Sequence, residues 1–146
     1  MCEAFFFVTG EMMSEVGNDD FLVAVKKELN DCLDAISNSH AAFIATVDGH
    51  LLVDKNRSNL DLEPLCPMSG SLIGISIALS AQLNNGQLEE ALIRTNDTVM
   101  AAIRINDENN SLLLGIVSSK KVNLGTLVLK GRECADRIKD IIEEPA

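Results

Sequence analysis

Between Asp20 and Ser37, apolar residues recur every three or four positions: Leu22, Val25, Leu29, Cys32, Leu33 and Ile36. This spacing predicts an amphipathic helix with Asp19 or Asp20 as its cap. Lys26, Lys27, Asp31 and Asp34 fall largely elsewhere and read as solvated. Residues 41–47 then read as a strand, and an extended pattern resumes over 50–54. Asp48-Gly49 between these apolar runs predicts a hairpin with a two-residue turn. A polar loop containing Pro64 and Pro67 follows over 56–67.

A second helix is expected over 68–84, closed by Asn85-Gly86. It is unusual in being apolar on two sides. Leu72, Ile75, Leu79 and Leu83 form one side, and Gly70, Ile73, Gly74, Ile77 and Ala81 form another, apolar or small. A helix apolar nearly all round is buried on more than one side. Three strands follow, at 88–95, 98–106 and 111–119, with turns at Asn96-Asp97 and over 107–110. In the last strand Leu112, Leu114 and Ile116 point one way and Leu113, Gly115 and Val117 the other. Both faces are apolar, which predicts a sheet covered on both sides. A final helix is expected over 123–144, with a broad stripe from Leu124 to Ile142 and an outer Glu133–Arg137 pair. Together these elements predict a three-layer α+β domain, with a five-stranded antiparallel sheet, helices on both faces and the order α-β-β-α-β-β-β-α.

Composition narrows the function. The chain has 146 residues, 47% apolar and 3% aromatic, without Trp or Tyr. That suits one domain with a core of Leu, Ile, Val and Ala. The formal net charge of −10 argues against nucleic acid and anionic membrane surfaces, which attract Lys and Arg. No apolar stretch is expected to reach the roughly 20 residues that span a bilayer, so membrane insertion is not expected. Cys2, Cys32, Cys66 and Cys134 have neither metal nor redox spacing, and they read as buried thiols of a cytoplasmic protein. Residues 1–19, with the run Phe5-Phe6-Phe7-Val8, read as an N-terminal extension to a single domain over 20–144. The extension is disordered, a docking strand, or the product of a start site upstream of Met12-Met13.

No constellation able to run chemistry emerges. His40 and His50 lack partners at ligand spacing. In Ser69-Gly70-Ser71-Leu72-Ile73-Gly74, Leu72 occupies the place of a G-x-S-x-G nucleophile and no Gly-Lys follows; the small residues fit close packing instead. Glu89-Glu90 and Glu143-Glu144 are adjacent pairs, which do not imply an acid–base couple. The acidic run over 107–110 lacks the pattern of a calcium loop. The expectation is a non-enzymatic protein without cofactor or metal.

The hairpin Phe43-Ile44-Ala45-Thr46-Val47-Asp48-Gly49-His50-Leu51-Leu52-Val53, the small-residue central helix, Leu113-Leu114-Gly115-Ile116-Val117 and Val122-Asn123-Leu124-Gly125-Thr126-Leu127 together resemble the roadblock/dynein light chain family. The resemblance runs from about Asp20 to Ile142. It implies a profilin-like sheet and a homodimer in which the central helix and the following strand meet their twins. The helix side with Ile73 and Ile77 has nothing left to cover it in a monomer, and the strand after it would be an open edge. The expected interface is Gly70, Ile73, Gly74, Ile77 and Ala81 with Leu88, Glu90, Leu92 and Arg94. The resemblance further implies a signalling scaffold or regulator that binds Ras-like small GTPases through protein–protein interaction, activating hydrolysis by positioning the GTPase's own residues. Arg57, Arg94 and Arg104 are unassigned candidates for an arginine finger. The extension and the 56–67 loop depart from the common unit. The alternative function is a small-ligand sensor with a profilin-like fold, which would need convergent polar groups around a pocket.

Overall fold

The computed structural model describes residues 19–83, 88–105 and 112–143. Residues 1–18 of the N-terminal extension, the Asn85-Gly86 cap and the 107–110 turn lie outside the described residues; Asp19 already belongs to the first helix. The elements are α1 (Asp19–Ala35), β1 (Ser39–Thr46), β2 (Leu51–Asn56), α2 (Leu65–Gln82), β3 (Glu90–Arg94), β4 (Thr98–Ile105), β5 (Leu112–Ser119) and α3 (Leu124–Glu143).

The strands form one antiparallel sheet in the order β2-β1-β5-β4-β3. β5 is central, and its residues from Leu112 to Ser118 are all buried. This is the two-sided burial its continuous apolar run predicts. Helices α1 and α3 cover one face, where Leu29, Ile36, Ile103, Leu114, Ile116 and Ile138 interlock. Helix α2 covers the other, over Ala41, Phe43, Ala45, Ala102 and Leu113. The stripe of α1 lies inward as expected, with Val25, Leu29, Cys32, Leu33 and Ile36 buried.

Local chemistry explains the joints. Helix α1 ends where Asn38 adopts a left-handed φ of 71°, and the Ser39 hydroxyl donates to the Ile36 carbonyl oxygen at 2.7 Å. Both moves satisfy the last turn of a helix. The Asn123 side chain accepts the Thr126 amide at 2.9 Å and caps α3. Gly131 lets α3 lie against the sheet, because a Cβ there would collide with Ile103.

Three expectations need correction. The first hairpin has a three-residue loop in place of a two-residue turn. The Gly49 amide donates to Thr46 O at 3.0 Å, and the Thr46 amide to His50 O at 2.9 Å. Gly49, with φ 110°, supplies the backbone that follows such a turn before pairing resumes. Helix α2 begins at Leu65, three residues before the expected start, with Pro64 as its cap and Pro67 in its first turn. Proline is tolerated there because first-turn amides have no helical acceptor. Arg137 turns away from Glu133: it donates to Glu28 of α1 at 2.6 Å, while Glu133 meets Lys130 at 3.4 Å. The nearby helix supplies a better-placed carboxylate than the same-helix neighbour.

Candidate functional site

Helix α2 is uncharged throughout and, by length and composition alone, long enough to cross a bilayer; its 18 residues stay short of the roughly 20 of the sequence reading. In this fold it lies on the sheet, and only part of it is covered. Cys66, Ser69, Gly70 and Ile73 are its buried residues. Its far side is open: Met68, Ile75, Leu79 and Leu83 are 63%, 69%, 59% and 67% exposed. A stripe of that size, on a helix with no charge to solvate it, is what interaction surfaces look like.

The structure divides both sides of α2 that the sequence reading separated. Ile73, expected to be uncovered, is 2% exposed and packs on the sheet. Gly70, expected at a partner contact, touches this chain's own hairpin: a Cβ there would overlap the Val47 carbonyl oxygen. Leu72 is half-buried, while Ile75, Leu79 and Leu83, expected on its side, face out. Gly74, Ile77 and Ala81 do lie outside; Gly74 has open space over it and Ile77 is 43% exposed.

Strand β3 closes the sheet on the side of β4 and leaves its other edge open. Its register sets Ala91 opposite Ala102 and Ile93 opposite Met100, both on the α2 face. Glu90, Leu92 and Arg94 stand opposite Ile103, Ala101 and Val99, on the α1–α3 face. The strand residues expected at an interface are thus divided: Leu88 packs toward α2, while the other three face α3. Met68 and Ile93 are exposed apolar residues of this region that the sequence reading did not select. Periodicity carried no signal for them, because a helix apolar all round has no preferred side and a five-residue edge strand alternates too briefly.

Ion pairs occupy several charged residues named earlier. Arg57 donates to Asp34 Oδ1 and to Asn30 Oδ1, each at 2.7 Å, which ties the end of β2 to α1. Arg104 donates to the Leu88 carbonyl at 3.3 Å. Arg94 is exposed and makes no hydrogen bond or ion pair among the described residues. Glu89 and Glu90 do converge, on Arg132 of α3, with Glu90 Oε1 3.9 Å from Arg132 Nε.

No group of three His, Cys, Asp or Glu residues suited to a metal occurs among the described residues. His50 lies 3.8 Å from Asp48 at an exposed hairpin tip. Ser69 donates to the Leu65 carbonyl at 2.6 Å within its own helix. Cys32, Cys66 and Cys134 are free and buried. Burial pushes the Cys66 thiol above its ordinary value, and Glu63 and Asp54 add to the effect. The Cys134 thiol is raised chiefly by its hydrogen bond with Cys32. Thiols held protonated in this way are poor nucleophiles.

No family model and no curated protein matches the chain. Solved structures do. A structure described as MglB with tetrameric arrangement is 19% identical, with a TM-score of 0.75 over 85% of this chain and 91% of that one. The Roadblock/LC7 domain from Streptomyces avermitilis is 7% identical, with a TM-score of 0.70 over 78% and 93%. LokiProfilin1, from a complex with rabbit actin, is 10% identical, with a TM-score of 0.58 over 82% and 96%. At such identities the likeness speaks for architecture, and the chain has the roadblock-type, profilin-like fold.

Proposed function

We propose that this protein is a cytoplasmic homodimeric scaffold, without catalysis of its own, that binds a Ras-like small GTPase and modulates its GTP hydrolysis. Residues 20–144 are the working unit. The observation that supports the reading most is the exposed stripe Met68, Ile75, Leu79 and Leu83 beside the open edge of β3. A second copy, related by a two-fold axis, would bury that stripe against itself and pair the edge in the same step. A dimer built so presents a doubled surface to a partner. With no nucleophile–base set among the described residues, any effect on hydrolysis would come from ordering the GTPase's own switch residues. The likeness to MglB and to a Roadblock/LC7 domain supports this reading through the fold.

The test is sedimentation of the wild type beside an Ile75→Asp/Leu79→Asp variant, both checked by circular dichroism. A wild-type dimer and a folded monomeric variant are expected. GTP turnover by a Ras-like GTPase from the same organism should then change with wild type and not with the variant. A monomeric wild type would overturn the homodimer, and unchanged turnover with no complex formed would overturn the GTPase partner.

A further inference from the structure

The open edge of β3 carries two charged residues with unused hydrogen-bonding capacity: Glu90, ion-paired with Arg132 but without a hydrogen bond at Oε1, and Arg94. Thr95 N–H donates to Thr98 O and Arg104 N–H donates to Glu89 O, both across to β4 or its turn. Backbone groups alternate in direction along a strand. Those of Glu90, Leu92 and Arg94 therefore point to the open side. The side chains of the same three residues share one face, opposite Ile103, Ala101 and Val99. At one end, Glu90 Oε1 is buried and accepts no hydrogen bond among the described residues, with its cation Arg132 at 3.9 Å. At the other end, Arg94 is exposed with neither ion pair nor hydrogen bond among the described residues. An acid and a base, equally far from Leu92 and on one face, are self-complementary under a two-fold axis.

We infer that β3 pairs antiparallel with the β3 of a second copy in one register, with the axis through Leu92, and that cross-strand pairs between Glu90 and Arg94 set that register. The inference rests on the homodimer reading above and adds its alignment. In this register the outward N–H and C=O groups of Glu90, Leu92 and Arg94 all meet partners, and Leu92 stacks on its twin beside the charges. The next registers that keep the outward groups opposed move the axis to Ala91 or Ile93. An axis at Ala91 sets Arg94 against Leu88 across the interface, and one at Ile93 sets Glu90 against Asn96. Each leaves a charge facing a neutral side chain at a partly dry edge, which is unfavourable. Opposite charges directly across an antiparallel pair stabilise it, and like charges do the reverse. A slip of register is the characteristic error of a short strand, so a charge pair that penalises it has a clear use.

Two measurements test this. Sedimentation equilibrium at low salt should show Arg94→Glu dimerising about tenfold more weakly than wild type, since two symmetric carboxylate pairs are created at once. Arg94→Lys should stay near wild type, adding Glu90→Gln to Arg94→Glu should restore most of the loss, and high salt should shrink all these differences. In a Cys2→Ser background, mild oxidation should cross-link Leu92→Cys between copies and leave Ala91→Cys and Ile93→Cys uncross-linked, because only the on-axis residue meets its twin within disulfide reach. An unchanged Arg94→Glu dimer, or cross-linking at 91 or 93 in place of 92, would overturn the register while leaving the homodimer standing. A wild-type monomer would overturn both.

Discussion

Gly70 of α2 rests on the carbonyl oxygen of Val47, so closely that a methyl group at that position would overlap it. One turn later, Gly74 has nothing within 4 Å of where its Cβ would be. The two glycines look alike in sequence and lie one turn apart on one face of the helix, and the hairpin loop at Val47 covers only the first. Gly70→Ala should therefore lower stability by about 1–3 kcal/mol despite its better helix propensity, because the obstacle is backbone and cannot rotate away. Gly74→Ala should raise it by ~0.5–1 kcal/mol. Urea unfolding in the Ile75→Asp/Leu79→Asp background, where no second copy covers the helix, checks both. Equal stability of Gly70→Ala and its parent would refute the contact.

Phe43 and Gly115 face each other across β1 and β5, and the ring occupies the space a Gly115 side chain would take. Phe43→Ala should lower stability by about 3–5 kcal/mol through the cavity it leaves. Gly115→Ala should also destabilise, by collision with the ring. Combined with Phe43→Leu, the cost of Gly115→Ala should shrink, since the smaller side chain makes room. A double-mutant cycle by thermal unfolding reads this coupling, and strict additivity would count against it.

Arg57 is an anchor between β2 and α1. Its guanidinium bridges Asn30 and Asp34 at 2.7 Å, while remaining about a third exposed. Arg57→Ala should lower stability by about 1 kcal/mol, the usual size for a partly exposed charged pair. Arg57→Lys should recover part of the loss, because both side-chain bonds leave one nitrogen, Nη2, whose role an ammonium can take. GTP turnover by a bound partner should be unchanged. A large loss of turnover with unchanged stability would instead place Arg57 in partner chemistry.

The buried Cys66 thiol makes stability depend on pH in the alkaline range. Its ordinary value is 9.0, and burial raises it in the folded chain. The unfolded chain thus releases this proton at lower pH than the folded one. The contribution is complete below about pH 9 and is lost as pH rises through the folded value. Denaturation from pH 7 to 10 should show stability falling above pH 9, less steeply in Cys66→Ala. In a Cys2→Ser variant, Ellman's reagent should label Cys32, Cys66 and Cys134 only on unfolding; rapid labelling of that native variant would contradict their burial.

Much of the architecture is legible along the chain. Period-four stripes on α1 and α3, alternation in the strands and the two-sided run of β5 are local consequences of what each element must bury. Element order and layering follow from them, because a sheet apolar on both faces must be covered twice. Hairpin detail was less legible: Asp48-Gly49 marks a turn, while the loop length depends on where β1 and β2 resume pairing.

The orientation of α2 belongs to the tertiary structure alone. Its sequence is apolar on every side, so rotating the helix changes the hydrophobic burial little and leaves composition silent about which side meets the sheet. The choice falls to shape: Gly70 admits the Val47 carbonyl, and Ile73 fills the space over small residues such as Ala41, Ala45 and Ala102. That choice leaves Ile75, Leu79 and Leu83 outside. Likewise, sequence alone makes Glu90 and Arg94 two ordinary charges on a short strand. Only the pairing of β3 with β4 aims both along one open edge, because hydrogen-bond direction and side-chain face are properties of the ladder and not of the residue.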